Sequence, residues 1–170
     1  SPAGFRGLNE TLADLWAGQT GIELNGARAD AALKTIGQQS FAALPATWPT
    51  VSFAEQLWTI AQSIRFNLGL RFATLDLGGW DTHVNQGGAT GNLANRLKEL
   101  GQGLATFADE IGPEAWRHTV VAVISEFGRT FRENGNKGTD HGHGTTYWFL
   151  GGGLSAQAGG KVIGEQMEVS

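Results

Sequence analysis

The chain has 170 residues, 41% of them hydrophobic, with six tryptophans and a formal net charge of -4. That is enough apolar side chain for one core and too little length to argue for two. The negative balance and the lack of a Lys/Arg cluster speak against a nucleic-acid partner, the absence of cysteine removes disulfides and thiolate metal ligands, and no apolar run is long enough for a membrane-spanning helix.

In chain order, Leu8, Leu12, Leu15 and Trp16 fall on one face of a helix that Gly18 and Gly21 end. An alanine-rich segment from Asn25 to Leu44 predicts a second helix, and the Pro45 to Thr50 stretch breaks the chain, because proline removes a backbone donor and restricts the residue before it. Ser52 and Glu55 have the spacing of a capping box. Leu57, Ile60, Ala61, Ile64 and Leu68 follow at helical spacing, and Gly69 offers a left-handed stop.

Leu70 to Leu77 predicts a short strand that runs into Gly78, Gly79, Trp80, Asp81, Thr82 and His83. Leu93, Leu97, Leu100, Leu104, Phe107 and Ile111 then predict a long amphipathic helix from Asn92 to Ile111, closed by Pro113. Thr119 to Ile124 is unbroken apolar and β-branched sequence, the pattern of a strand covered on both faces. Strand, helix and strand of these lengths form a right-handed βαβ unit with parallel strands. Both carboxyl ends then share one edge, which brings Asp81 and His83 to the same place as Glu126. Gly128 to Thr145 reads as a long functional loop that remains at that edge, so the Thr146 to Leu150 strand returns antiparallel; Lys161 to Ile163 suggests a short fourth strand.

The expected fold is therefore α/β, with a mixed, mostly parallel sheet between helical layers. Residues 1–170 form a single domain, in which 1–50 supply a helical layer and 51–170 the sheet and the site. Lacking a starting methionine and a charged-then-apolar leader, the chain is expected to be a processed or excised part of a longer protein.

Three of the four histidines, His83, His141 and His143, and two adjacent acids, Asp81 and Asp140, converge at the predicted edge. Neutral imidazole with carboxylate suits a divalent metal, zinc first, with manganese, iron or calcium as alternatives. Arg129 suits a bidentate contact to phosphate or sulfate oxygens, and Glu126 stands beside it as a second catalytic candidate. Each motif also has a plainer reading: Asp81-Thr82-His83 as an Asx turn, Asp140 to His143 as a solvated polar turn, and Glu126 with Arg129 as a local ion pair. His118, before the second strand, falls at the opposite edge as a surface residue.

The motifs LGGWDTHVNQ, SEFGRTFRENG and GTDHGHGTTYWFLGGG, with AEQLWTIAQSIRFNLGLRF before them, resemble the carboxyl-terminal part of an uncharacterised bacterial family, domain of unknown function 1501, placed with the alkaline-phosphatase and sulfatase superfamily. The resemblance covers Phe53 to Gly164. It implies an exported protein, periplasmic or at the cell surface, often with a twin-arginine signal, and an alkaline-phosphatase-like mixed sheet. It also implies a metal-dependent hydrolase of phosphate or sulfate esters, acting on a small anionic ester or a sulfated or phosphorylated glycan. Asp81 and His83 would take one metal motif, and Asp140, His141 and His143 another. Glu126, Phe127 and Gly128 stand where the superfamily commonly has Asp-His-Gly, so Glu126 would be a ligand and Phe127 would replace a histidine. The superfamily's nucleophile follows an amino-terminal strand that this chain lacks; Thr82, Ser125 and Thr139 are the internal candidates. The alternative is a non-catalytic exported domain that keeps the fold and binds a metal or glycan.

Overall fold

A computed structural model describes residues 18, 20–49 and 51–164 of the chain. The helix expected from Leu8 to Trp16 lies outside the described residues. The described residues form three α-helices and two small antiparallel sheets: α1 (Thr20–Gly37), α2 (Ser52–Arg65), α3 (Asn92–Arg117), β1 (Val121–Val123), β2 (Gly128–Arg129), β3 (His141–Gly142) and β4 (Trp148–Leu150).

The core is the seam between α2 and α3. Phe53, Ala54, Leu57, Trp58 and Ala61 of α2 are buried against Leu100, Leu104 and Phe107 of α3, positions that recur every three or four residues on each helix. Trp48, from the Pro-containing connector, closes one end by an edge-to-face contact with Trp58 at 5.3 Å. Trp58 Nε1 in turn donates to the Ala42 carbonyl at 2.8 Å, tying down the segment after α1. Burial of a Leu or Phe side chain contributes about 1.5–3 kcal/mol, whereas a hydrogen bond contributes about 0.5–1.5. Stability therefore resides in the helix pair, and the loops at the site are tethered to it.

The helix termini differ from the sequence reading in detail. Val51 takes the N-cap position, where its carbonyl accepts from the amides of Ala54 and Glu55, and no side chain caps the helix. Ser52 is thus the first helical residue, one position too late for its hydroxyl to serve as the cap. At the other end Phe66 is the C-cap and Asn67, with φ 51°, supplies the first left-handed residue before Gly69. Helix α3 runs past the expected stop. It kinks at Gly112 (φ 75°, ψ 170°), a conformation open to glycine, and Pro113 opens the following helical stretch, where its missing N–H costs nothing.

The sheet is the main correction. Leu70 to Leu77 forms no strand, and neither does Lys161 to Ile163. Leu75 and Leu77 do alternate with exposed Asp76 and pack on the core, the period of an extended chain, but no neighbouring strand pairs with them among the described residues. A βαβ unit with two parallel strands is accordingly absent there, and the paired strands are antiparallel. β1 pairs with β4 in the register Val121↔Leu150, Ala122↔Phe149, Val123↔Trp148, as expected for a chain that turns back on itself. Only one face of this pair is covered: Val121, Val123 and Leu150 pack on the core, while Ile124 and Phe149 are 70% and 60% exposed. The segment from Gly128 to Thr145 is no simple loop. β2 and β3 pair as Gly128↔Gly142 and Arg129↔His141, so the segment doubles back as a hairpin. Among the described residues no helix is long and apolar enough to cross a membrane.

The α2–α3 seam makes a direct prediction. A Cβ at Gly103 would lie 2.9 Å from Phe53 Cε1 and 3.2 Å from Leu57 Cδ1, whereas one at Gly101 would meet nothing within 4 Å. Gly101→Ala is expected to stabilise the chain by about 0.5–1 kcal/mol through helix propensity. Gly103→Ala is expected to destabilise it, because overpacking of about 1–3 kcal/mol exceeds that gain. Urea denaturation of both variants checks this; equal midpoints would contradict the packing.

Candidate functional site

Two loops build the site, one leading into α3 and one at the β2–β3 hairpin. Backbone hydrogen bonds join them: the amides of Asn85 and Gln86 donate to the carbonyls of Asn136 and Lys137 at 3.0 and 2.9 Å, and the Thr139 amide donates to the Thr82 carbonyl at 3.2 Å. The approach is so close that a Cβ at Gly138 would lie 2.2 Å from the His83 carbonyl carbon. Within the seam, the buried hydroxyls of Thr82 and Thr139 both donate to Gln86 Oε1, at 2.8 and 2.7 Å.

This junction brings Asp81 and His83 against Arg129, Asp140 and His141. Asp81 Oδ1 lies 2.8 Å from His83 Nε2, 2.7 Å from His141 Nε2 and 2.8 Å from Arg129 Nη1. His83 Nδ1 faces Asp140 Oδ1 at 2.7 Å. The His141 ring is held by stacking on Phe127, 4.3 Å between centroids and 5° between planes, and it lies 5.1 Å from the His83 ring. Arg129 is anchored on its other side by Thr139, whose hydroxyl accepts from Nε at 2.9 Å and whose carbonyl accepts from Nη2. These contacts engage three of the five guanidinium donors and leave an N–H on each terminal nitrogen.

One carboxylate oxygen and two imidazole nitrogens, from Asp81, His83 and His141, thus lie within 4.8 Å of one another. Donors around a tetrahedral zinc are about 3.4 Å apart given bonds of about 2.1 Å. The observed 2.7 and 2.8 Å spacings need to open by less than an ångström, roughly, to admit an ion. The donor set therefore fits a borderline divalent cation. A cavity of about 350 Å³ opens beside Asp81, lined by Thr82, Val84, Asn92, Asn95 and Arg96.

Two residues expected at the site take no part in these contacts. Glu126 and His143 are exposed, and neither makes a hydrogen bond or ion pair with described residues. Ser125 Oγ is turned inward, donating to the Phe127 carbonyl at 2.8 Å. His118 is a surface residue, 3.5 Å from Glu114. Trp80, which flanks Asp81, packs on the core and donates to the Leu77 carbonyl. Gln86 and Asn134 organise the junction; both lie inside the motifs LGGWDTHVNQ and SEFGRTFRENG, but as amides with no ligand or acid-base chemistry they gave no signal until the two loops met.

Both acids titrate low. The hydrogen bond to His141 is the largest influence on Asp81, opposed by its desolvation and reinforced by Arg129 and His83; for Asp140 the largest is the bond to His83, followed by Asn134. A carboxyl whose folded pKa is depressed adds stability above the ordinary aspartate value of about 3.9 and loses it as pH falls through the lower folded value. Carboxyl-carbon NMR should place both midpoints below that ordinary value. His141→Ala should raise the Asp81 midpoint and leave that of Asp140 in place; an unmoved Asp81 would contradict the assigned contact.

Residues 27–170 match the family described as Protein of unknown function (DUF1501). No curated protein and no solved structure matches the chain. The matched span takes in both loops of the junction, with Asp81, His83, Arg129, Asp140 and His141 inside it. The chain belongs to this family of unknown function.

Proposed function

We propose that the junction is a divalent-metal site for hydrolysis of phosphate or sulfate esters, with Asp81, His83 and His141 as ligands and zinc as the first metal to test. The convergence of their donor atoms from two separate loops is the observation that supports it. The resemblance of GGWDTH, SEFGR and GTDHGHG to alkaline-phosphatase-like proteins adds the ester chemistry, the exported location and the superfamily fold to the same proposal. An ion held there would polarise an ester oxygen and lower the pKa of an attacking nucleophile. Arg129, held against Asp81 and with two N–H groups to spare, would bind a non-bridging oxygen of the ester. The cavity beside Asp81 would take the remainder of a small substrate. Glu126, two residues before β2, and His143, directly after β3, are exposed and remain candidates for contact with substrate or metal.

A specific observation favours the second reading, a binding domain without turnover. Thr82 and Thr139 spend their hydroxyl protons on Gln86, and Ser125 spends its own on a backbone carbonyl, so none of these hydroxyls is poised as a nucleophile. Water as nucleophile reconciles hydrolysis with this arrangement; its absence as a reaction leaves metal or glycan binding.

Both ligand imidazoles must be unprotonated at Nε2 to bind a cation, so uptake releases protons and weakens as pH falls. Elemental analysis after zinc loading should find stoichiometric metal in the purified chain and none in an Asp81→Ala, His141→Ala double variant. Titration calorimetry in buffers of different ionisation enthalpy should detect proton release. Turnover of aryl phosphates or sulfates that disappears in the double variant would support the hydrolase, metal without turnover the metal-binding domain, and no metal would sink both metal readings and leave glycan binding.

A further inference from the structure

Both ring nitrogens of His83 face a carboxylate: Nε2 lies 2.8 Å from Asp81 Oδ1, and Nδ1 lies 2.7 Å from Asp140 Oδ1. The lone pairs of the two imidazole nitrogens diverge in the ring plane, so a cation taken by Nε2 sits away from the carboxylate at Nδ1. One ring cannot serve both positions for the same ion. The convergent donors are accordingly those of Asp81, His83 and His141, with Asp140 behind the ring.

Asp140 is itself clamped. Asn134 Nδ2 lies 3.0 Å both from Asp140 Oδ1 and from the His83 carbonyl oxygen. Asn134 Oδ1 accepts from the amides of Asn136 and Gly138 at 2.9 and 3.1 Å, which fixes which end of the side chain faces Asp140. The Asp140 amide donates to Thr130 Oγ1 at 3.1 Å. The carboxylate, the ring it touches and the amide that holds both therefore form one unit.

We propose that Asp140 is a positioning residue and not a metal ligand. Its Oδ1 accepts the Nδ1 proton of His83, selects the tautomer whose Nε2 lone pair is free for a divalent cation, and aims that nitrogen at Asp81 Oδ1. Asn134 holds Asp140 in this role. The inference rests on the divalent-cation reading of Asp81, His83 and His141. A carboxylate behind a ligating imidazole raises its basicity and fixes its direction, and its removal typically costs about 10–100-fold in metal affinity without changing the atoms bound to the metal.

Cobalt(II) titration of the full chain, followed by visible absorption, tests this. Asp140→Ala should bind cobalt about 10–100-fold more weakly, with the absorption band of the saturated protein unchanged in position and intensity. Asp140→Asn, whose side-chain oxygen still accepts from Nδ1, should recover part of the loss. Asp81→Ala should shift the band, because it removes a ligand. Circular dichroism controls for folding, and if Asp140→Ala does not fold, Asn134→Ala carries the same expectation of weaker binding with an unchanged band. A band altered in Asp140→Ala or Asp140→Asn as in Asp81→Ala would make Asp140 a ligand and overturn the inference alone. Equal affinity in the wild-type chain and Asp140→Ala would also overturn it alone. Failure of the wild-type chain to bind cobalt would overturn it together with the cation reading.

Discussion

One carboxylate oxygen, Asp81 Oδ1, accepts the approach of three side chains that arrive from different points of the sequence: His83, Arg129 and His141. Everything else at the site serves that meeting. The backbone bonds between residues 82–86 and 136–139 bring the two loops into register, and the small size of Gly138 lets them touch. Gln86 then ties Thr82 to Thr139 beneath the surface, so the polar atoms in the seam are satisfied inside the protein and the imidazoles and carboxylates are left at its mouth.

The chemistry follows from this division of labour. His83, His141, Asp81 and Asp140 are about half exposed and open to solvent, whereas the parts that aim them are covered: Thr82, Thr139 and Gly138 are buried, and Arg129 is 21% exposed. The Phe127 ring stacks on His141, and the Arg129 guanidinium lies over that Phe127 ring, 5.6 Å from its centroid. Phe127 thus orients the His141 ring. Rigid support beneath exposed donors is the arrangement a metal site needs, since ligand direction decides affinity as much as ligand type.

The sequence made the helices and the membership of the site legible to different degrees. Apolar spacing identified α2 and α3, and Leu57, Ala61, Leu100, Leu104 and Phe107 of the expected stripes are buried in the core with Ile60, Ile64 and Ile111 packed against it, whereas Leu97 is exposed and Phe53, Ala54 and Trp58 join the core from outside the expected stripe. The meeting of Asp81 and His83 with Asp140 and His141 was also anticipated, but through a parallel sheet edge, and the route was different. Leu70 to Leu77 has the alternation of a strand without a partner, and alternation reports an extended chain, not its neighbours. The apolar run from Thr119 to Ile124 likewise suggested cover on both faces, while Val120 and Ile124 lie open to solvent. What could not be read at all was the hairpin within Gly128 to Thr145. Its strands are two residues each, its pairing is between glycines and polar side chains, and its register depends on contacts with a loop some 50 residues away.

The central claim is that two imidazoles and a carboxylate gather around a single divalent ion. X-ray absorption at the zinc edge on the zinc-loaded chain tests it most directly. The account predicts an inner shell of nitrogen and oxygen at about 2.0–2.1 Å, with the outer-shell scattering of two imidazole rings reduced to one in His141→Ala. A shell of oxygen alone, indifferent to His141→Ala, would place the ion elsewhere and contradict the account.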